Sequence, residues 1–223
     1  MKSQFDEPLL DKIEQCGIIA VLVIDDEDHA IPVAKALLDG GITAMELTLR
    51  TPAALGALRN IRREIPEMIA GIGTVLTTEQ IQMVHDAGGQ FAVAPGTNPR
   101  VIQAAQKIGL PFAPGIATPS DIETAVELGC RELKFFPAEP SGGLTFLKSM
   151  AAPYAHLGLR YVPLGGVNAD NLATYMSNPL IMAVGGSWLA KRDAINSEDW
   201  SGIRDRAAQA VEIVKQARAK DKA

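Results

Sequence analysis

The chain has 223 residues, 47% of them hydrophobic and 21% charged, with 20 Gly and 14 Pro. That is globular composition and excludes disordered, collagenous and low-complexity chains. A net charge of −5 with only 5% aromatics argues against nucleic acid, which calls for a basic stripe or a stacking platform. No apolar run approaches the ~18 residues of a membrane span, and the first residues carry no signal-peptide core. Cys16 and Cys130 form no metal-like spacing. A soluble, cytoplasmic protein is expected.

A short helix is expected first, over residues 8–15. Apolar, β-branched runs then alternate with segments of helical periodicity. Strands are predicted at 18–24, 43–49, 68–73, 91–94, 111–114, 132–136, 160–164 and 181–185. Helices are predicted at 28–39, 52–64, 78–87, 99–108, 119–128 and 169–176, with one long terminal helix over 197–219. Glycine follows several of them, as in Asp39-Gly40-Gly41 and Ala87-Gly88-Gly89, where a left-handed C-cap suits it. Thr77-Thr78-Glu79 and Thr118-Pro119-Ser120-Asp121 read as helix N-termini.

Eight strands alternating with helices imply a parallel sheet covered by helices. A doubly wound sheet would fit too, but no Gly-x-Gly-x-x-Gly follows the first strand. The expectation is a compact TIM (β/α)8 barrel, one domain over residues 1–223, with the extra N-terminal helix at its bottom.

Alternate residues of a barrel strand face the interior, and catalytic groups sit near the C-terminal strand ends. In Met45-Glu46-Leu47-Thr48-Leu49-Arg50, one face is apolar and the other carries Glu46, Thr48 and Arg50. Glu132-Leu133-Lys134-Phe135-Phe136 splits the same way. The bland alternative is a buried structural ion pair or solvated charges. Three converging charges weigh against it, because buried charge is costly unless paired or functional. Glu46 and Arg50 are roughly 13 Å apart along the strand at ~3.3 Å per residue, so they need not pair with each other.

Lys134 stands among Leu133, Phe135, Phe136 and Pro137. A solvated lysine amine is protonated at neutral pH and cannot attack a carbonyl; apolar surroundings disfavour the charged form. That environment suits a Schiff-base nucleophile. Its proton-relay partner would be a buried carboxylate, and Glu46 is the candidate. Two glycine turns, Leu164-Gly165-Gly166 and Gly185-Gly186-Ser187, close the seventh and eighth strands, where barrels often hold a phosphate on backbone N–H groups. His29, His85 and His156 are scattered, so no metal site is expected.

With these residues in place, the chain resembles the 2-keto-3-deoxy-6-phosphogluconate (KDPG) / 4-hydroxy-2-oxoglutarate aldolases. The resemblance runs through Glu46-Leu47-Thr48-Leu49-Arg50-Thr51, Gly71-Ile72-Gly73-Thr74, Ala94-Pro95-Gly96, Lys134-Phe135-Phe136-Pro137-Ala138-Glu139, Gly165-Gly166-Val167 and Gly185-Gly186-Ser187-Trp188. It implies Lys134 as the Schiff-base lysine and Glu46 as general acid/base. It further implies that Arg50 and Thr74 hold a pyruvate carboxylate and that Pro95 and Phe136 line the pyruvate pocket. Gly165, Gly166, Gly186 and Ser187 match phosphate-binding turns. The implied enzyme cleaves a 2-keto-3-deoxy acid phosphate to pyruvate and glyceraldehyde 3-phosphate, with no metal or cofactor, as a homotrimer.

Three departures bear on substrate choice. Leu164 stands where many relatives have Thr, the loop after the lysine strand reads Glu139-Pro140-Ser141-Gly142-Gly143, and the first strand ends Leu22-Val23-Ile24 without the Arg of some relatives. Two other readings compete with the aldolase. One is a phosphosugar isomerase or synthase using Glu46 as base, and the other a non-catalytic barrel that binds an anionic metabolite.

Overall fold

The computed structural model describes residues 3–220. Helix α1 (Glu7–Cys16) begins where the Asp6 carboxylate accepts the Leu9 N–H at 2.8 Å, and ends at Gly17 with φ 71°, a conformation glycine adopts without Cβ strain. It is the expected N-terminal helix. Its buried side chains, Leu10 and Ile13, point into the fold.

Nine strands follow among the described residues: β1 (Ile18–Leu22), β2 (Ala44–Thr48), β3 (Ile69–Gly73), β4 (Ala92–Val93), β5 (Phe112–Ala113), β6 (Gly115–Ile116), β7 (Glu132–Phe135), β8 (Arg160–Pro163) and β9 (Val184–Gly186). They form two parallel sheets, ordered β5-β4-β3-β2-β1-β9 and β6-β7-β8. A parallel bridge between Tyr161 and Ile181 ties β8 to the chain just before β9. The fold is α/β, with curled parallel sheets under helices.

The strand expected over 111–114 is shorter, β5 at Phe112–Ala113, and a further strand, β6, starts after Pro114 at Gly115. Proline has no N–H to give a sheet ladder. Its carbonyl instead accepts the Lys134 N–H at 2.9 Å, so pairing passes from β4 to β7 at that residue. The strand expected over 181–185 is shifted, with β9 at Val184–Gly186.

The helices are α2 (Ala30–Asp39), α3 (Ala54–Glu64), α4 (Thr78–Asp86), α5 (Pro99–Ile108), α6 (Pro119–Glu127), α7 (Gly143–Ala151), α8 (Ala169–Met176), α9 (Arg192–Asn196) and α10 (Trp200–Lys220). Thr77 and Thr118 form reciprocal capping boxes with Gln80 and Asp121. The helix expected from residue 28 starts at Ala30, because a 3-10 turn over Glu27–His29 precedes it. The expected terminal helix over 197–219 is shorter at its start: Glu198 has φ 56°, which no helix continues through. Helix α7 had no clear sequence signal. It opens at Gly142, φ 105°, without a side-chain cap.

Two hydrophobic cores result from strand alternation. Met45, Leu47, Leu133 and Phe135 pack outward beneath the helices. Ile19, Ala44, Phe91, Val93, Val162 and Met182 pack inward with Phe5, Leu10 and Ile13. Burying each large apolar side chain contributes about 1.5–3 kcal/mol. The inward face is where the charged residues of β2 and β7 must also go.

Candidate active site

Glu46 lies on β2 and Lys134 on β7, strands of different sheets. Curling brings their side chains together: Lys134 Nζ donates to Glu46 Oε1 at 3.1 Å. Glu46 is 3% exposed and Lys134 6%. A pair this buried is weak evidence for stability, since desolvation offsets much of the Coulombic attraction. What distinguishes it is where it opens. Both residues line a cavity of about 330 Å³ together with Val21, Thr48, Arg50, Thr74, Pro95, Phe136, Leu164, Gly165, Gly185 and Ser187.

Each polar wall residue has a local cause. Thr48 Oγ1 donates to the Leu22 carbonyl at 3.0 Å and accepts from Arg50 Nε at 3.1 Å. Arg50, exposed beyond the strand end, is thereby oriented through Thr48 from β1. Thr74 follows β3 with φ 63°, a region non-glycine residues seldom occupy. The Lys134 ammonium stands 5.5 Å from the Phe136 ring centroid, within cation–π range.

Gly73 makes room for Glu46. A Cβ there would lie 1.7 Å from Glu46 Oε1. Gly73→Ala is therefore expected to displace the carboxylate and lower kcat roughly 10²-fold, the scale of an ångström-level misplacement. Steady-state kinetics beside a circular dichroism spectrum checks this; an unchanged kcat would show that the Glu46 position is not critical.

Of the eleven site residues singled out from sequence, Glu46, Arg50, Thr74, Pro95, Lys134, Phe136, Leu164, Gly165 and Ser187 line this cavity. Gly166 and Gly186 do not. A Cβ on Gly166 would meet Glu139 Cβ at 2.5 Å, and one on Gly186 would meet the Trp188 ring at 2.5 Å, so both face neighbouring side chains. Val21, Thr48 and Gly185 were missed as site residues. Thr48 was legible by its two-residue spacing from Glu46. Val21 required the β1–β2 register, which sets it beside Glu46.

Comparison with known proteins gives a consistent result. The family described as KDPG and KHG aldolase matches residues 9–206. The 2-dehydro-3-deoxy-phosphogluconate aldolase of Treponema pallidum (strain Nichols) is 41% identical over 206 residues, 92% of this chain and 97% of that one. The KHG/KDPG aldolase of Escherichia coli (strain K12) is 40% identical, covering 89% and 92%. Among solved structures, the KDPG aldolase of Legionella pneumophila superposes with TM-score 0.86 at 35% identity, covering 90% and 97%. That crystal holds pyruvate captured at low pH as a covalent carbinolamine intermediate. The chain belongs to the KDPG and KHG aldolase family.

Proposed function

We propose that the protein is a class I aldolase acting through a Schiff base on Lys134. Its substrates are 2-keto-3-deoxy-6-phosphogluconate, cleaved to pyruvate and glyceraldehyde 3-phosphate, and/or 4-hydroxy-2-oxoglutarate, cleaved to pyruvate and glyoxylate. The observation that carries this is the Lys134–Glu46 pair at 3.1 Å, opening on a cavity with a cation, Arg50, at its rim. The carbinolamine in the Legionella relative supports it.

The chemistry follows from the geometry. Transfer of the Lys134 proton to Glu46 leaves a neutral amine, which attacks the substrate ketone to form a carbinolamine. Glu46 returns that proton to the departing hydroxyl, and loss of water gives an iminium ion, an electron sink beside the bond to be broken, with Glu46 again a carboxylate. Removal of the C4 hydroxyl proton by Glu46 then releases the aldehyde and leaves an enamine. Protonation of the enamine and hydrolysis return pyruvate and the free lysine. Arg50 is suited to the carboxylate by a charge-assisted hydrogen bond. The Gly165–Gly166 turn and the end of β9 at Gly186–Ser187 would hold a phosphate through backbone N–H groups and the Ser187 hydroxyl.

The test is to mix protein with pyruvate, reduce with borohydride and measure the intact mass. An adduct on Lys134 is expected. No adduct would favour an isomerase or an anion-binding protein, neither of which uses Lys134 covalently.

The same reading takes residues 1–223 as one domain. It counts β5 and β6 as two halves of one strand in a closed eight-stranded barrel, with the Tyr161–Ile181 bridge at the seam. A homotrimer in the cytoplasm follows the family, and light scattering measures the assembly.

Leu164 tunes substrate choice in this reading. It is 5% exposed on the cavity wall, and its side chain covers Gly185, where a Cβ would fall 2.1 Å from Leu164 Cγ. A substrate hydroxyl facing it without a partner would cost about 1–3 kcal/mol. Leu164→Thr is expected to improve the six-carbon phosphate and to sharpen the choice between its C4 epimers, with little gain for 4-hydroxy-2-oxoglutarate. Three unchanged kcat/KM values would show that Leu164 does not read the substrate.

A further inference from the structure

Below the Lys134–Glu46 pair, toward the N-terminal strand ends, lies a second cavity of about 30 Å³. Apolar side chains enclose it, Phe5, Phe91, Val162 and Met182 among them, with three exceptions: Glu46, Lys134 and Glu132. Glu132 begins β7 two residues before Lys134, so the two share a strand face ~7 Å apart. It does not line the open cavity above.

Glu132 is 3% exposed. Its side-chain hydrogen-bond donor is the Ser3 hydroxyl at 2.7 Å, a neutral group. The charged or titratable groups around it are Cys130 and Arg131 beside it on the chain, Arg160 in register on β8, and Asp6 and Glu7 at the start of α1, besides the Lys134–Glu46 pair. Burial pushes its carboxyl above the usual carboxylate range, opposed by the Ser3 hydrogen bond, by Arg160, by a backbone hydrogen bond at Glu132 itself and by Arg131. The Schiff-base cycle above assigns it nothing.

We propose that Glu132 is a positioning residue for the Lys134 reaction, its charge setting how readily the amine above it gives up its proton. The proposal rests on the Schiff-base reading. On its inner side only the small apolar cavity separates Glu132 from Lys134, while its outer side borders an open pocket with Arg131 and Arg160. Across the apolar side screening is weaker than in water, so an ionised Glu132 stabilises protonated Lys134. A neutral carboxyl does not. Attack on the ketone requires the neutral amine, so ionised Glu132 restrains the lysine and protonated Glu132 releases it. Ser3, by donating to the ionised form, brings the N-terminal segment into this balance.

The experiment follows borohydride trapping of pyruvate by intact mass, from about pH 5 to 9. It compares wild type, Glu132→Gln and Ser3→Ala, with thermal melts to confirm folding. In Glu132→Gln the midpoint of the pH–rate profile is expected to fall by roughly one unit. In Ser3→Ala it should fall by less, because the ionised carboxylate loses one donor. If Glu132→Gln does not fold, Ser3→Ala decides alone, since Ser3 is only half-buried. Unmoved midpoints in the folded variants, whatever the rate, would overturn the proposal and leave the aldolase reading standing. A wild type that traps no pyruvate at any pH would overturn both.

Discussion

Lys134→Arg is expected to leave no measurable aldol cleavage while the fold persists. Arginine keeps the positive charge that faces Glu46 at 3.1 Å in the wild type, so the buried carboxylate retains a partner. The guanidinium stays protonated at any working pH and cannot form an imine. Charge and bulk are nearly conserved; nucleophilicity is lost. Lys134→Ala should be equally inactive but less stable, because removing one partner strands a buried charge, at ~3–5 kcal/mol for a sealed pair. The loss here should be smaller, since Glu46 also borders the open cavity. Pyruvate release and thermal melts on both variants separate the two effects. More than a few per cent of wild-type activity in Lys134→Arg would sink the Schiff-base role.

Glu46→Gln is expected to slow turnover by roughly 10²–10⁴-fold, the range of a positioned acid–base group. The amide matches the carboxylate in shape and fits the space over Gly73, and its oxygen still accepts from Lys134 Nζ. It can no longer take a proton. Imine formation should slow along with cleavage, because the lysine proton has lost its destination. Exchange of pyruvate methyl protons with deuterium isolates the enamine step from aldehyde binding. Exchange at the wild-type rate in Glu46→Gln would remove Glu46 from proton transfer.

Much of this site is legible in the sequence. Alternation along 44–50 and 132–136 set Glu46, Thr48, Glu132 and Lys134 on inward faces, and all four are buried. Alternation does not say which inward residue carries the chemistry and which underlies it. Glu132 and Lys134 are equivalent by spacing, yet the open cavity meets Lys134 and the small one lies between them. The Gly165–Gly166 turn was read correctly, with positive φ at both residues, whereas Gly185 and Gly186, expected in a turn, lie within β9 and pair with β1. Which glycine Cα would face the cavity depended on Glu139 and Trp188, which lie against Gly166 and Gly186.

The sequence by itself determined the α/β alternation, the helix caps at Thr77 and Thr118, and the inward direction of the charged strand residues. Each follows from forces acting within a few residues: sterics, capping hydrogen bonds and the two-residue pleat. Tertiary structure alone decided three further features. Pairing passes from β4 to β7 around Pro114, Glu198 interrupts helical backbone between α9 and α10, and Lys134 meets Glu46 across 88 positions of sequence. That last distance depends on how far the sheets curl, and curl is set by packing summed over every strand and the helices outside them. No local pattern encodes it.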